Sequence, residues 1–269
     1  RGTSPAFLDP QAIAQTLGAF AVFCVLSGVV YLINDVADRD KDRMHPLKRH
    51  RPIASGAVSP KLAILTALAL ATVSLTAAYL LRPAFALVAV AYLSLLVSYS
   101  GPLKHLVIID VITIATGFVL RAVAGAVVIA VPISHWLLIL TMLGALFLAL
   151  SKRRHELVLL AGGATGHRPI LEEYSPYLLD QMIAVVTSSA LVCYVIYTVS
   201  PETVQKFHTH YLGLTLVFPI YGIFRYLYLV HLKEGGGSPA DTLLNDRPLL
   251  ACVALWALSV VAIIYGTRI

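Results

Sequence analysis

The 269-residue chain is 58% hydrophobic and only 13% charged, with a mean hydropathy of +0.82. An average soluble domain carries about 25% charged residues, so this chain has roughly half the charge that a water-facing surface needs, and most soluble classes are excluded. Its 20 Lys+Arg against 14 Asp+Glu give a net charge of +6, and the placement of those few charges is the informative quantity. Cys24, Cys193 and Cys252 lie inside apolar runs without paired spacing, which predicts buried thiols rather than a disulfide framework or a metal site.

A helix that crosses a bilayer needs about 20 mostly apolar residues. The first such run is 11–33, and no small-residue cleavage pattern follows it, so no cleavable signal peptide is expected. The run ends on Asn34-Asp35-Val36-Ala37-Asp38-Arg39-Asp40-Lys41-Asp42, an N-D-x-x-D-x-x-x-D pattern where a span meets water. If the helix continues, Asn34, Asp35, Asp38 and Asp42 fall on one face. Carboxylates on one face repel unless a cation sits between them. Their hard oxygens suit Mg2+, which keeps several waters and bridges to substrate phosphates. These four are the candidate metal ligands, and a solvated charged loop capping a helix is the alternative. Next comes His45-Pro46-Leu47-Lys48-Arg49-His50-Arg51-Pro52-Ile53-Ala54-Ser55-Gly56. Lys48, Arg49 and Arg51 form a cationic cluster suited to phosphate oxygens, with the alternative of a basic loop that has no other role. The prolines restrict this loop and Gly56 permits a tight turn.

Runs 61–81 and 84–100 predict the second and third spans, and the latter leads into Tyr99-Ser100-Gly101-Pro102-Leu103-Lys104. The fourth, 106–131, is long enough to tilt. Within it Asp110, Ile114, Gly117, Arg121 and Gly125 share one helical stripe whose glycines allow close helix approach. An intramembrane Asp or Arg is expensive unless it faces a polar cavity or a partner, so both are candidate functional residues; an internal ion pair is the alternative for Arg121. The fifth span, 135–150, exits through Ser151-Lys152-Arg153-Arg154-His155-Glu156-Leu157. Lys152, Arg153 and Glu156 share a face there, with headgroup snorkelling as the bland reading. Spans 177–199, 211–232 and 249–266 complete the set. Arg225-Tyr226 and Asp246-Arg247, the latter after Gly235-Gly236-Gly237, add weaker polar signals, and the nine histidines show no ligand spacing.

Eight spans put alternate loops on the same side. Fourteen Lys+Arg fall in the loops 34–61, 100–105, 151–176 and 233–248, and only Arg1, Arg82, Lys206 and Arg268 fall on the other side. By the positive-inside rule the fourteen face the cytoplasm. Ten of the fourteen acids lie in those same loops. A membrane-surface anchor needs cations alone; both signs crowded on one face suggest a site for a metal-bound anion.

The motif at 34–42, its continuation H-P-x-K-R-x-R-P-I-A-x-G at 45–56, and Tyr99, Leu103-Lys104 and Asp110 resemble the UbiA superfamily of intramembrane prenyltransferases over nearly the whole chain. The resemblance implies an all-α polytopic membrane protein, a helical bundle of about nine spans of ~20 residues each around a central cavity open laterally to lipid. Eight of those spans are found in this chain, and the family's first helix is expected to be missing from it. Residues 1–269 are then one transmembrane domain in the cell (inner) membrane, its catalytic loops 34–61, 100–105, 151–176 and 233–248 facing the cytoplasm. Members that use a polyprenyl diphosphate carry a second aspartate-rich motif in the loop corresponding to 151–176, where this chain has Lys152-Arg153-Arg154-His155-Glu156. That substitution, with Leu120-Arg121-Ala122, Glu173-Tyr174, Arg225-Tyr226 and Asp246-Arg247, is similar to one branch, the decaprenyl-phosphate phosphoribosyltransferases.

The branch resemblance implies Mg2+-dependent transfer of 5-phosphoribose from 5-phosphoribosyl diphosphate to a polyprenyl phosphate, with release of pyrophosphate. It makes Asp35, Asp38, Asp42, Lys48 and Asp110 the catalytic candidates, with Asn34 supporting the metal. Lys48, Arg49 and Arg51 are assigned to donor phosphates, and Lys104, Lys152 and Arg153 to the acceptor or the 5-phosphate. Asp110 and Glu156 are assigned to ribose hydroxyls or to those lysines, and Tyr99, Arg121 and Arg225 to substrate binding. Two other readings stay open: a prenyltransferase of the same fold acting on an aromatic or lipophilic acceptor, and a transporter or lipid-binding membrane protein. No nucleic-acid partner is expected, and a homo-oligomer is compatible with the sequence.

Overall fold

Proline opens seven of the helices, because its fixed φ suits the first turn, where its missing N–H leaves no bond unmade. In three of them the preceding serine caps the turn: Leu62, Leu178 and Thr203 donate their N–H groups to the hydroxyls of Ser59, Ser175 and Ser200 at 3.3, 3.1 and 3.4 Å. The computed structural model describes residues 9–44, 48–161, 169–232 and 239–266, and among these every element is helical. The helices are α1 (Pro10–Ala37), α2 (Arg39–Met44), α3 (Pro52–Ser55), α4 (Pro60–Leu81), α5 (Pro83–Ser100), α6 (Ile109–Val128), α7 (His135–Ala161), α8 (Pro176–Val199), α9 (Pro201–Phe207), α10 (Val217–Leu232), α11 (Pro239–Asn245) and α12 (Arg247–Gly266). Eight segments are long and apolar enough to cross a membrane, in the order and number predicted.

Their ends differ from the apolar runs for identifiable reasons. α1 continues four residues past Ile33, through Asn34-Asp35-Val36-Ala37, and α7 eleven past Leu150, the latter because Lys, Arg, Glu and Leu are good helix formers and a charged segment need not break the backbone. The run 106–131 is trimmed at both ends to Ile109–Val128. Ile108 and Ala130 have φ of 69° and 57°, a left-handed conformation that stops a helix whatever the hydropathy. The seventh span begins as a 3-10 turn over Tyr211–Leu216 and becomes α-helical only at Val217. Pro219 explains this, since it has no N–H to offer the carbonyl of Thr215.

The chain forms two compact units, Arg1–Leu138 with Thr165–Ile170, and Ile139–Ala164 with Leu171–Ile269. In the first, α1 lies most extensively against α4, and α5 against α6. Its core joins Ala19, Val22 and Leu26 of α1 to Ala78 of α4, Phe85, Ala89 and Tyr92 of α5, and Ala124 and Val128 of α6. Phe23 stacks tilted on Phe85 and Tyr92 at 5.8 and 4.9 Å between centroids. Lipid is as apolar as this core, so association depends on close packing rather than on escape from water, which favours alanine at the crossings. Gly117 serves the same end, a Cβ there lying 3.5 Å from Leu96; Gly125, on the same predicted stripe, has open space beside it. The stripe is thus in contact as far as Arg121 and open at Gly125.

In the second unit, α10 packs on α12, and Tyr226, Val230 and Leu249 form a small core with Phe147. Trp256 donates to the hydroxyl of Tyr194 at 2.9 Å, which lies 2.6 Å from Thr215 Oγ1. Thr113, Thr116 and Thr187 satisfy their hydroxyls on carbonyls of their own helices, as apolar surroundings require. All three cysteines are free; Cys252 is buried, Cys193 half-buried and Cys24 exposed. The prediction of buried thiols therefore fails for Cys24, because in a spanning helix the outward face is as apolar as the inward one.

Replacing the fully buried Ala89 by leucine is expected to overpack the α1/α4/α5 crossing and cost about 1–3 kcal/mol. The change Val90→Leu, one residue away on an exposed face, is expected to leave the denaturation midpoint of the detergent-solubilised protein unchanged; the comparison of the two midpoints is the check.

Candidate active site

The polar end of the first unit is built from one helix break and one short loop. α1 stops at Ala37, and Asp38 leaves helical geometry for one residue before α2 begins. The pitch survives the break: Asp38 N–H donates to the Asn34 carbonyl and Asp42 N–H to the Asp38 carbonyl, both at 2.8 Å. Asp35, Asp38 and Asp42 therefore keep the spacing of a continuous helix, as predicted from their order. Residues 45–47, which include the predicted His45 and Pro46, lie outside the described residues. A 3-10 turn over Lys48–His50 then places Arg51 in extended backbone ahead of α3, and Gly56 closes the loop with φ of 86°. Arg43 Nε donates to the Ala54 carbonyl at 2.9 Å and ties α2 to α3.

Arg51 Nη1 donates to Asp35 Oδ1 at 2.7 Å and to Asp42 Oδ2 at 3.0 Å. One nitrogen thus draws two carboxylates to a common point. Asp42 is the inner partner, its side chain 6% exposed against 39% for Arg51. Asp38 takes a different cation, Lys104 Nζ at 2.6 Å, which the 3-10 turn Leu103–His105 brings across from the end of α5. Asp110 is fully buried in the first turn of α6. Tyr99 and Lys48 are half-buried, and Arg49 is exposed with its Nε on His50 Nε2 at 3.3 Å. The predicted cationic cluster is thereby divided: Arg51 faces the acids and Arg49 faces outward. Arg39, which the sequence pattern did not single out, has a buried Nε with no hydrogen-bond partner. Only its place inside the aspartate motif could have drawn attention to it.

Among the described residues no three metal-ligating side chains converge. The donors fit Mg2+ in a narrower way. Asp35 and Asp42 present hard oxygens to one point that a positive charge already fills, and Mg2+ is commonly held by one or two carboxylates with waters and substrate phosphates completing the shell. An all-protein cage is not what these residues form. Asn34 is half-buried beside the pair, and Asp38 is held apart by Lys104.

Arg121 lies twelve residues into α6. Its guanidinium donates to the Tyr92 hydroxyl at 2.6 Å and to Ser27 Oγ at 3.4 Å, and sits 5.1 Å from the ring centroids of both Tyr92 and Phe118. It has no carboxylate partner among the described residues, so the internal ion pair considered from sequence is absent.

In the second unit several charges are spent on one another. Arg153, 2% exposed, pairs with Glu156 at 2.8 Å, while Lys152 on the adjacent position is exposed. Arg154 and His231 both meet Asp180 in the second turn of α8. Asp180 is the carboxylate that sequence reasoning left without a role; a lone acid at the mouth of an apolar run was the available signal. Arg225 binds Asp246 through two nitrogens, at 3.1 and 2.8 Å. The same carboxylate caps α12 by accepting the Leu249 N–H at 2.8 Å. The Arg225 hydrogen bond holds the Asp246 carboxyl below the usual carboxylate range. The hydroxyls of Ser151 and Tyr226 are buried without a partner.

A family model described as the UbiA prenyltransferase family matches residues 3–243. The chain is 32% identical to the decaprenyl-phosphate phosphoribosyltransferase of Mycobacterium tuberculosis, over 95% of this chain and 84% of that one. It is 33% identical to the protein of the same name from Mycolicibacterium smegmatis, over 94% and 81%. Its fold matches the structure of a UbiA homolog from Archaeoglobus fulgidus bound to GPP and Mg2+ with a TM-score of 0.70 at 18% identity, over 95% of this chain and 88% of the other.

The Arg225–Asp246 pair gives a pH-dependent expectation. Because the folded-state carboxyl titrates below its ordinary value, the stability it contributes is complete above about pH 4 and lost as the pH falls through the folded value. Asp246→Asn, which keeps the helix cap, is expected to lower the thermal midpoint at pH 7 by an amount that holds to about pH 4 and closes below it. Paired melting curves of parent and variant across that range provide the check.

Proposed function

The chain belongs to the UbiA prenyltransferase family, and from that premise we propose that it transfers the 5-phosphoribosyl group of 5-phosphoribosyl diphosphate to a polyprenyl phosphate with release of pyrophosphate. The relatives that carry the corresponding name match it over nearly its whole length. The observation that carries the mechanistic part is the convergence of Asp35 and Asp42 on one cationic point with the Asp38–Lys104 pair beside it. The reaction site faces the cytoplasm of the cell membrane, a placement supported by the fourteen cations in alternate loops.

Asp35 and Asp42 are the residues that would hold Mg2+, with Asn34 in support and Asp38 joining them once released from Lys104. When bound, that ion supplies charge withdrawal from a leaving diphosphate. Arg39, Lys48, Arg49 and Arg51 supply further positive charge to the donor phosphates, and the unpartnered Nε of Arg39 supports its inclusion. The bond from ribose C1 to the diphosphate oxygen breaks with its electron pair leaving on pyrophosphate, and a phosphate oxygen of the lipid forms the new bond to C1. That oxygen is already anionic at neutral pH, so the reaction needs no strong general base and depends on positioning and charge stabilisation. Asp110 orients a ribose hydroxyl or Lys104. Lys104, Lys152 and Arg153 serve the acceptor phosphate or the 5-phosphate, with Glu156 positioning Arg153 through their pair. Tyr99, Arg121 and Arg225 contribute to substrate binding, Arg225 in the orientation set by Asp246.

Purified protein offered both donors separately is the direct test. Label is expected to pass from phosphoribosyl diphosphate to the lipid phosphate in a Mg2+-dependent manner; incorporation of label from a prenyl diphosphate into an aromatic acceptor would replace this reading with ordinary prenyl transfer. Asp38→Ala is expected to lower turnover by on the order of 10²-fold, and full Mg2+-dependent activity in that variant would remove Asp38 from the metal assignment.

A further inference from the structure

We infer that Arg51 is an internal counter-cation that reserves the Asp35/Asp42 pair for a metal ion arriving together with a diphosphate, so that Mg2+ and diphosphate bind with positive coupling. The inference rests on the metal and diphosphate chemistry proposed above, though not on the identity of the donor sugar.

Its basis is the position of a single nitrogen. Nη1 of Arg51 occupies the point at which the two carboxylates converge, so a metal ion using both acids must take that place from the guanidinium. Of the cations nearby, Lys104 is engaged by Asp38 and Arg43 by the Ala54 carbonyl with Asp40 at 3.9 Å, while the Lys48 charge also acts on Asp35. The bridging guanidinium lies over the pair rather than beneath it, since Arg51 is far more exposed than Asp42. It has an outward path.

The backbone at Arg51 is held independently of that bridge. Its carbonyl accepts the Ser55 N–H at 2.8 Å, the Pro52 carbonyl accepts the Val58 N–H at 3.0 Å, and Arg43 anchors Ala54. The side chain can therefore leave the carboxylates while the loop keeps its course. Proline at 52 and the extended backbone at Arg51 reinforce this, leaving side-chain rotation as the movement required.

Charge then determines the order of events. Asp35, Asp38 and Asp42 against Arg51 and Lys104 leave one net negative charge, which the nearby Lys48 reduces further. A divalent ion alone would make the group positive and would leave Arg51 displaced from its acids beside a like charge. A diphosphate reverses both penalties: it restores negative charge and offers the guanidinium an oxygen pair matched to its planar fork. Each ligand thus removes what opposes the other, which is the condition for reciprocal coupling between them.

The test uses the purified full chain, inorganic pyrophosphate and Mg2+, with thermal stabilisation as the readout and affinity expressed against free Mg2+. Wild type is expected to bind Mg2+ at least about 10-fold more tightly with saturating pyrophosphate than without it. Arg51→Gln is expected to bind Mg2+ alone about 10-fold more tightly than wild type, with the pyrophosphate effect reduced below about 3-fold. Arg51→Lys, which keeps the charge without the planar fork, is expected to fall between the two. Equal Mg2+ affinity of wild type with and without pyrophosphate overturns the inference whether or not the glutamine variant folds, as does weaker Mg2+ binding in either variant without pyrophosphate. Because no sugar donor or lipid enters this measurement, absence of phosphoribosyl transfer with the coupling intact would count against the proposed reaction alone.

Discussion

Two hydrogen bonds from one guanidinium nitrogen, Arg51 Nη1 to Asp35 and Asp42, make the polar end of the first unit possible. The acids sit where a helix leaves an apolar run, the third carboxylate of the motif lies between them in sequence, and Asp42 is almost wholly buried. Buried carboxylates without a counter-charge are among the most costly features a fold can carry. Arg51 and Lys104 supply that charge from two different segments, one following α2 and the other following α5. Around these bridges the break at Asp38, the closure at Gly56 and the Arg43 tie to Ala54 follow as the backbone course that delivers the cations.

The apolar body imposes a second constraint that works with the first. Helices in lipid gain little from burying one more leucine, so the first unit is assembled from alanines and from Gly117 at its crossings, with Phe85 and Tyr92 as the large interior groups. Such close crossings fix where α1, α5 and α6 end relative to one another. Those ends carry Asp35, Lys104 and Asp110. The precision of the charged site is therefore inherited from packing that contains no charge.

A count of cations overstates how many are available to a ligand. In the second unit Arg153, Arg154 and Arg225 each hold a carboxylate, and only Lys152 among the cations assigned there stands exposed. Arg121 shows the opposite arrangement, a spanning arginine with aromatic faces and hydroxyls around it and no acid among the described residues. Pairing geometry, rather than residue type, decides which cations are held in place by an acid and which are not.

The sequence by itself determined the eight spans, because hydropathy over about 20 residues is set by composition alone, and it determined the shared spacing of Asp35, Asp38 and Asp42, because helical periodicity carries them to one face. It also placed Arg51 and Lys104 at the right end of the molecule. It could not set helix ends where backbone conformation overrides hydropathy, as at Ile108 and Pro219, nor tell which face of α1 carries Cys24. Above all it could not assign partners. That Arg51 bridges Asp35 and Asp42 while Lys104 takes Asp38 depends on distances between segments 16 and 66 residues apart, and such distances exist only once α1, α5 and the loop before α3 have packed.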